Sequence, residues 1–181
     1  DRDPPRGADV SDCVAVLRMA EEMADAVQNR RREEGFILCR EKDGRTVKQG
    51  ALCVGNDECL IDLPACGTGK PFASFHTHVT HDLVGKAAQG MLVPSPKDIE
   101  ADRKAGVEVG CIGGDLNDGT GMVWCFPTDR NVGAAKDVVA RMNEAMGKHP
   151  FTIERRMAEL LDEYFERVGK PCSTVRFRLQ L

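Results

Sequence analysis

Three of the chain's four histidines fall within one stretch, FHTHVTHDLVGKAAQGMLVPSPKD, residues 75–98. His76 and His78 are one residue apart. On a strand, residues i and i+2 point to the same face, so an H-x-H pair presents two imidazoles side by side. Such a pair grips a divalent metal; the bland alternative is two exposed histidines at a strand end. Ser95 and Asp98 close the stretch. They too have a purely structural explanation, because Ser is a preferred N-cap, Pro96 suits the first helical position and an acid at the third completes a capping box. Capping and chemistry are compatible. A cap fixes the first turn, and a fixed first turn is a good mount for a third ligand and a hydroxyl. Two neutral imidazoles and one carboxylate leave the fourth tetrahedral position open, which is the catalytic arrangement for zinc. Zinc so held polarises a carbonyl and makes water a nucleophile near neutral pH. A base for the proton and a donor to the developing oxyanion complete such a site. Ser95, one turn from Asp98, is placed to be that donor.

The elements around these residues must supply a strand end and a helix start. PFASFHTH (71–78) reads as a strand, and Ser95-Pro96-Lys97-Asp98 opens a helix that closes at Gly106. Residues 79–94 between them read as a loop of mixed character. Upstream, residues 1–8 read as a disordered lead-in. The three- and four-residue spacing of apolar positions from Ser11 predicts a helix that Gly35 ends. GFILCR (35–40), TVKQGALCVG (46–55) and ECLIDL (58–63) are predicted strands, the first two forming a hairpin around KDG. Downstream, Val107–Gly113 and MVWCF (122–126) are strands around a polar turn. Helices follow over 132–146 and 154–169. In the second, Met157, Leu160, Leu161, Tyr164 and Val168 share a face. STVRFRLQL alternates with period two and is a terminal strand. The order predicts an α+β fold, a mixed α/β sandwich in which helices flank one curled, largely antiparallel sheet, in a single domain over 9–181.

Bulk properties narrow the function. The 181 residues carry a formal charge of −4 with one Trp and one Tyr. That combination offers no global attraction to nucleic acid or anionic lipid, and no aromatic ladder for stacking on single strands. Arg30-Arg31-Arg32 is followed at once by Glu33-Glu34 and reads as a solvated helix end. No apolar run approaches the ~18 residues of a membrane span. No signal peptide is visible from Asp1 onward, and a removed leader stays open. Eight cysteines occur, at Cys13, Cys39, Cys53, Cys59, Cys66, Cys111, Cys125 and Cys172, none in a C-x-x-C pair. The spacing opposes a zinc finger or a thioredoxin motif. Several lie in apolar stretches, where Cys behaves as a small core residue. The expectation is free buried thiols in a reducing cytoplasm, with one disulfide among Cys53, Cys59 and Cys66 left open.

Other motifs fail on their own chemistry. Gly67-Thr68-Gly69-Lys70 has Pro64 where a phosphate loop begins with Gly, and Pro71 where Ser or Thr would hold magnesium. Asp115-Leu116-Asn117-Asp118-Gly119 starts like a calcium loop, but its twelfth position is Phe126. It reads as a hairpin turn. No G-x-S-x-G elbow is present.

His76-Thr77-His78 followed by Pro94-Ser95-Pro96-Lys97-Asp98, with a strand before and a helix after, resembles the JAMM motif of the MPN/JAB metalloprotease family. The resemblance covers roughly residues 33–126. It implies an MPN/JAB-like, cytidine-deaminase-like fold, zinc held by His76, His78 and Asp98, and Ser95 as oxyanion donor. It also implies a general-base glutamate at the opening of the first strand. Glu33 and Glu34 both stand there, and Glu33, two before Gly35 and on one strand face with Ile37, is preferred. The implied activity is hydrolysis of peptide or isopeptide bonds, with ubiquitin-like modifiers or their conjugates as protein substrates. The alternative is an MPN-type interaction module with a vestigial or regulatory metal site. A small amide or thiocarboxylate-linked substrate is a third reading. Sixteen residues separate His78 from Ser95, against seven in the family pattern. The insert, with His81 in it, is expected to be a surface loop bordering the site as a lid or substrate platform. His81 is expected to face solvent, to touch substrate or to compete as a ligand.

Overall fold

The computed structural model describes Val27 and residues 33–45, 47–55, 66–129, 132–147 and 153–179. Its elements run β1 (Glu33–Arg40), β2 (Val47–Gly55), β3 (Lys70–Thr77), α1 (Gly85–Gly90), α2 (Pro96–Ala105), β4 (Val109–Asp115), β5 (Thr120–Pro127), α3 (Val132–Met146), α4 (Ile153–Val168) and β6 (Ser173–Arg178). The lead-in at 1–8 and the predicted strand at 58–63 lie outside the described residues. So does the predicted N-terminal helix, except Val27, which is helical and buried.

The strands form one six-stranded mixed sheet in the order β2-β1-β3-β4-β5-β6. Every neighbouring pair is antiparallel except β3–β4. A parallel pair cannot be joined by a tight turn. Residues 78–108, which carry both α1 and α2, make that crossover. The fold is therefore mixed α+β, with helices against a largely antiparallel sheet.

Period-two alternation assigns the two faces. Met122, Trp124 and Phe126 of β5 and Ile112 of β4 pack with Met142 of α3 and Leu160, Leu161 and Tyr164 of α4. On the opposite face Val123, Cys125, Val109, Cys111, Ala73 and Phe75 close against Leu38 and Val27. The apolar face expected for 154–169 is the buried face of α4, with Met157, Leu160, Leu161 and Tyr164 enclosed.

Two expectations are corrected. The insert at 79–94 is not a surface loop. Leu83, Ala87, Ala88, Leu92 and Val93 are buried in the main core, and α1 is a helix where none was expected. A Cβ on Gly90 would come within 3.2 Å of the Met157 side chain, so α1 meets α4 at a distance that glycine permits. Trp124 Nε1 donates to the Leu92 carbonyl, and Tyr164 Oη donates to that of Pro94 at 3.3 Å. A segment so rooted in the core is not a lid. The second correction concerns the cysteines. Cys39 is bonded to Cys66, and Cys111 to Cys125; no described cysteine is free. Cys111 and Cys125 face each other across β4 and β5 with Cα atoms 4.1 Å apart, a proximity created by strand register. Disulfides persist in oxidising surroundings, so the basis for expecting a reducing cytoplasm is withdrawn. Among the described residues no helix is long and apolar enough to cross a membrane.

Candidate metal centre

The site forms where the C-terminal end of β3 meets the N-terminus of α2. His76 is opposite Gly35 of β1 and Ile112 of β4. It therefore lies on the sheet face that α2 covers. His78 follows immediately after the strand, its amide donating to the Gly113 carbonyl at 3.0 Å. The two imidazoles converge, with Nε2 to Nε2 at 2.8 Å.

Asp98 comes to them from the first turn of α2. Ser95 is the N-cap: its hydroxyl accepts from the Asp98 amide at 3.1 Å, and its own amide donates to Asp98 Oδ2 at 2.9 Å. This reciprocal capping box, with Pro96 behind it, fixes the turn. It also turns the carboxylate toward the histidines. Oδ1 lies 3.6 Å from His76 Nε2, and Oδ2 lies 3.5 Å from His78 Nε2. One ligand atom from each of the three residues falls within 4.8 Å of the others.

The two histidine–aspartate distances suit a metal ion, and the 2.8 Å between the imidazole nitrogens is a hydrogen-bond distance that an ion would widen. Tetrahedral bonds of ~2.0–2.1 Å put ligand atoms roughly 3.3 Å apart. The tautomer of His78 suits it as well. His78 Nδ1 is 2.7 Å from the Met91 carbonyl, which can only accept, so Nδ1 carries the proton and Nε2 is left with a lone pair. The electrostatics favour positive charge between the three groups. Burial depresses the basicity of His76, but the hydrogen bond and charge of Asp98, with the charges of Asp102 and Glu33, bring it above its ordinary value. Burial likewise favours a neutral Asp98, yet the contacts with His76 and His78 prevail and hold its carboxyl far below the usual range. A cation placed among the three would feel the same attraction as that proton.

Strand register separates the two glutamates. Gly35 faces His76 across β1 and β3, so Glu33, two residues earlier, is on the histidine face, and its charge reaches His76. Glu34 belongs to the opposite face by alternation. Its backbone is tied to Thr77, the amide donating to Thr77 Oγ1 at 2.9 Å.

His81 is exposed, in the left-handed region at φ 51°, and is not part of the histidine–aspartate group. Its carbonyl accepts from Asn117 Nδ2 at 2.9 Å, which anchors the turn after β3 to the β4–β5 turn. Two contacts at the site were not anticipated from the residues alone. One is the Met91 carbonyl, supplied by the insert. The other is Asp102, which accepts from Ser74 Oγ at 2.7 Å. A signal for Asp102 does exist, because it stands four residues after Asp98 and helical neighbours at that spacing share a face. No family model, curated protein or solved structure matches the chain.

Proposed function

We propose that this chain is a zinc-dependent hydrolase of peptide or isopeptide bonds, similar to the JAMM metalloproteases. The observation that carries the reading is the convergence of His76, His78 and Asp98 with Ser95 as the cap of the same turn. A structural cap needs no pair of histidines facing it. Zinc bound to the three residues would supply Lewis acidity toward a substrate carbonyl and a nucleophile drawn from water at neutral pH.

The chain's own groups perform the remaining work. Glu33, on the histidine face, accepts the proton released as water attacks and returns it to the leaving amine. Ser95 Oγ accepts from the Asp98 amide; as a hydroxyl it still carries a proton, which it donates to the oxygen that becomes negative. The Met91 carbonyl holds His78 in one tautomer, and the Ser95 amide holds the Asp98 carboxylate. Neither set of ligands has to reorganise as charge develops. Protein substrates carrying a ubiquitin-like modifier are the class that the resemblance suggests.

Cleavage of an isopeptide-linked ubiquitin-like fusion by the zinc-loaded protein tests this reading. Glu33→Gln should abolish turnover and leave zinc content intact, whereas Glu34→Gln should retain activity. Equal activity in wild type and Glu33→Gln would remove Glu33 from the mechanism. Zinc binding without cleavage of any such fusion would favour an interaction module with a regulatory metal.

A further inference from the structure

The two elements that carry the ligands are tied together a second time, away from the metal. Ser74 stands two residues before His76 on β3, and so on the same face. Asp102 stands one turn beyond Asp98 on α2. The Ser74 hydroxyl donates to Asp102 Oδ1 at 2.7 Å, linking residues 28 apart in sequence. The strand on the far side is shaped to receive this pair. Gly110 of β4 is in register with Ser74, and a Cβ there would lie 2.5 Å from Asp102 Oδ2. No larger residue at 110 leaves room for the carboxylate where it is.

This fastening joins a small set of holds on α2, among them Ala105 packed against Ile37, Cys39 and Val107. Ile99 is its one buried residue. At its far end Arg103 Nε donates to the Thr128 carbonyl at 2.8 Å, an exposed contact. Without the link from Ser74, the capping box still shapes the turn carrying Asp98, but α2 loses its side-chain bond to β3 away from the metal. An apolar side chain at 102 would pin the helix without enclosing a second carboxylate near Asp98. Burial is the largest influence on the Asp102 carboxyl and, with the Asp98 charge and despite the Ser74 hydrogen bond, pushes it up to about 6.

We propose that Ser74 and Asp102 are positioning residues: a clamp between β3 and α2 that holds Asp98 at bonding distance from a divalent cation on His76 and His78. The clamp rests on the metal reading above. The clamp acts one contact further out than the groups that bond metal ligands directly and govern their affinity.

Competitive zinc titration of the full chain against a chromogenic chelator tests the clamp, with thermal melting of the metal-free protein in parallel. Ser74→Ala and Asp102→Ala should each weaken zinc binding by about 10- to 100-fold. The double variant should lose no more than either single one, because both remove the same bond. Asp102→Asn keeps an acceptor for the Ser74 hydroxyl and should bind within a few fold of wild type. If Asp102→Ala does not fold, Ser74→Ala, which loses one hydroxyl, decides the matter. Lowered melting temperatures with unshifted zinc affinity would overturn the clamp and leave a merely structural contact. Absence of zinc from the wild type would overturn the metal reading, and the clamp with it.

Discussion

The crossover between β3 and β4 contains two helices held by opposite means. α1 has six residues, no side-chain cap and three buried small residues, Ala87, Ala88 and Gly90. It exists because the core encloses it. α2 has ten residues, a capping box at Ser95, a left-handed Gly106 at its other end and one buried residue, Ile99. It exists because its ends are hydrogen-bonded and because Asp102 reaches Ser74. The difference shows two ways of holding the helices of one connection. α1 and its neighbours are held by hydrophobic packing against α4, where geometry is tolerant. The turn carrying Asp98 depends on directional polar contacts, where it is not. The two regions meet at Met91, whose carbonyl fixes the tautomer of His78.

Substitutions can break this contrast. The largest effect on stability is expected in the packed region. Leu92 is fully buried, and Leu92→Ala should cost about 2–5 kcal/mol in chemical denaturation. A loss below about 1 kcal/mol would mean that the insert is not part of the core.

A smaller effect, of opposite sign, is expected at α2. The Asp102 carboxyl sits at about 6 in the folded chain, against ~3.9 when unfolded. The folded state thus holds that proton more tightly. Its contribution to stability is full below about pH 4 and is lost as pH rises through 6. Asp102→Asn escapes that loss. It should stabilise the metal-free protein at pH 7–8 by at most about 3 kcal/mol, less where solvent screens the charge, with the gain vanishing below pH 4. Denaturation midpoints measured across this range check the sign. A gain that persists in acid would mean the cause is not ionisation.

The smallest effect is expected at the cap. Ser95→Ala should cost about 1 kcal/mol. Hydrogen-exchange protection should fall in α2 and stay unchanged in α1. Equal loss in both helices would erase the distinction between them.

The contrast also explains what was legible in the sequence. His76, His78, Ser95 and Asp98 were readable because each pair is a local pattern with a local cause, strand alternation in one case and capping in the other. The strands and the α4 face were readable from periodicity. α1 was not, because GKAAQG has no capping signal and too few turns to show a period. The choice between Glu33 and Glu34 depends on the register of β1 against β3, a long-range property that alternation within one strand does not contain. The disulfides were missed for the same reason. Cys111 and Cys125 lie 14 residues apart, and only the β4–β5 pairing sets them face to face. Ser74 and Asp102 belong to different elements, and nothing in either neighbourhood names the other.

The zinc content of the purified chain tests the central claim most directly. Protein reconstituted with zinc and dialysed should retain one equivalent per chain, and His76→Ala should retain none while keeping the fold by circular dichroism. No stoichiometric zinc in the wild type, or the same content in His76→Ala, would contradict the assignment of His76, His78 and Asp98 as a metal centre.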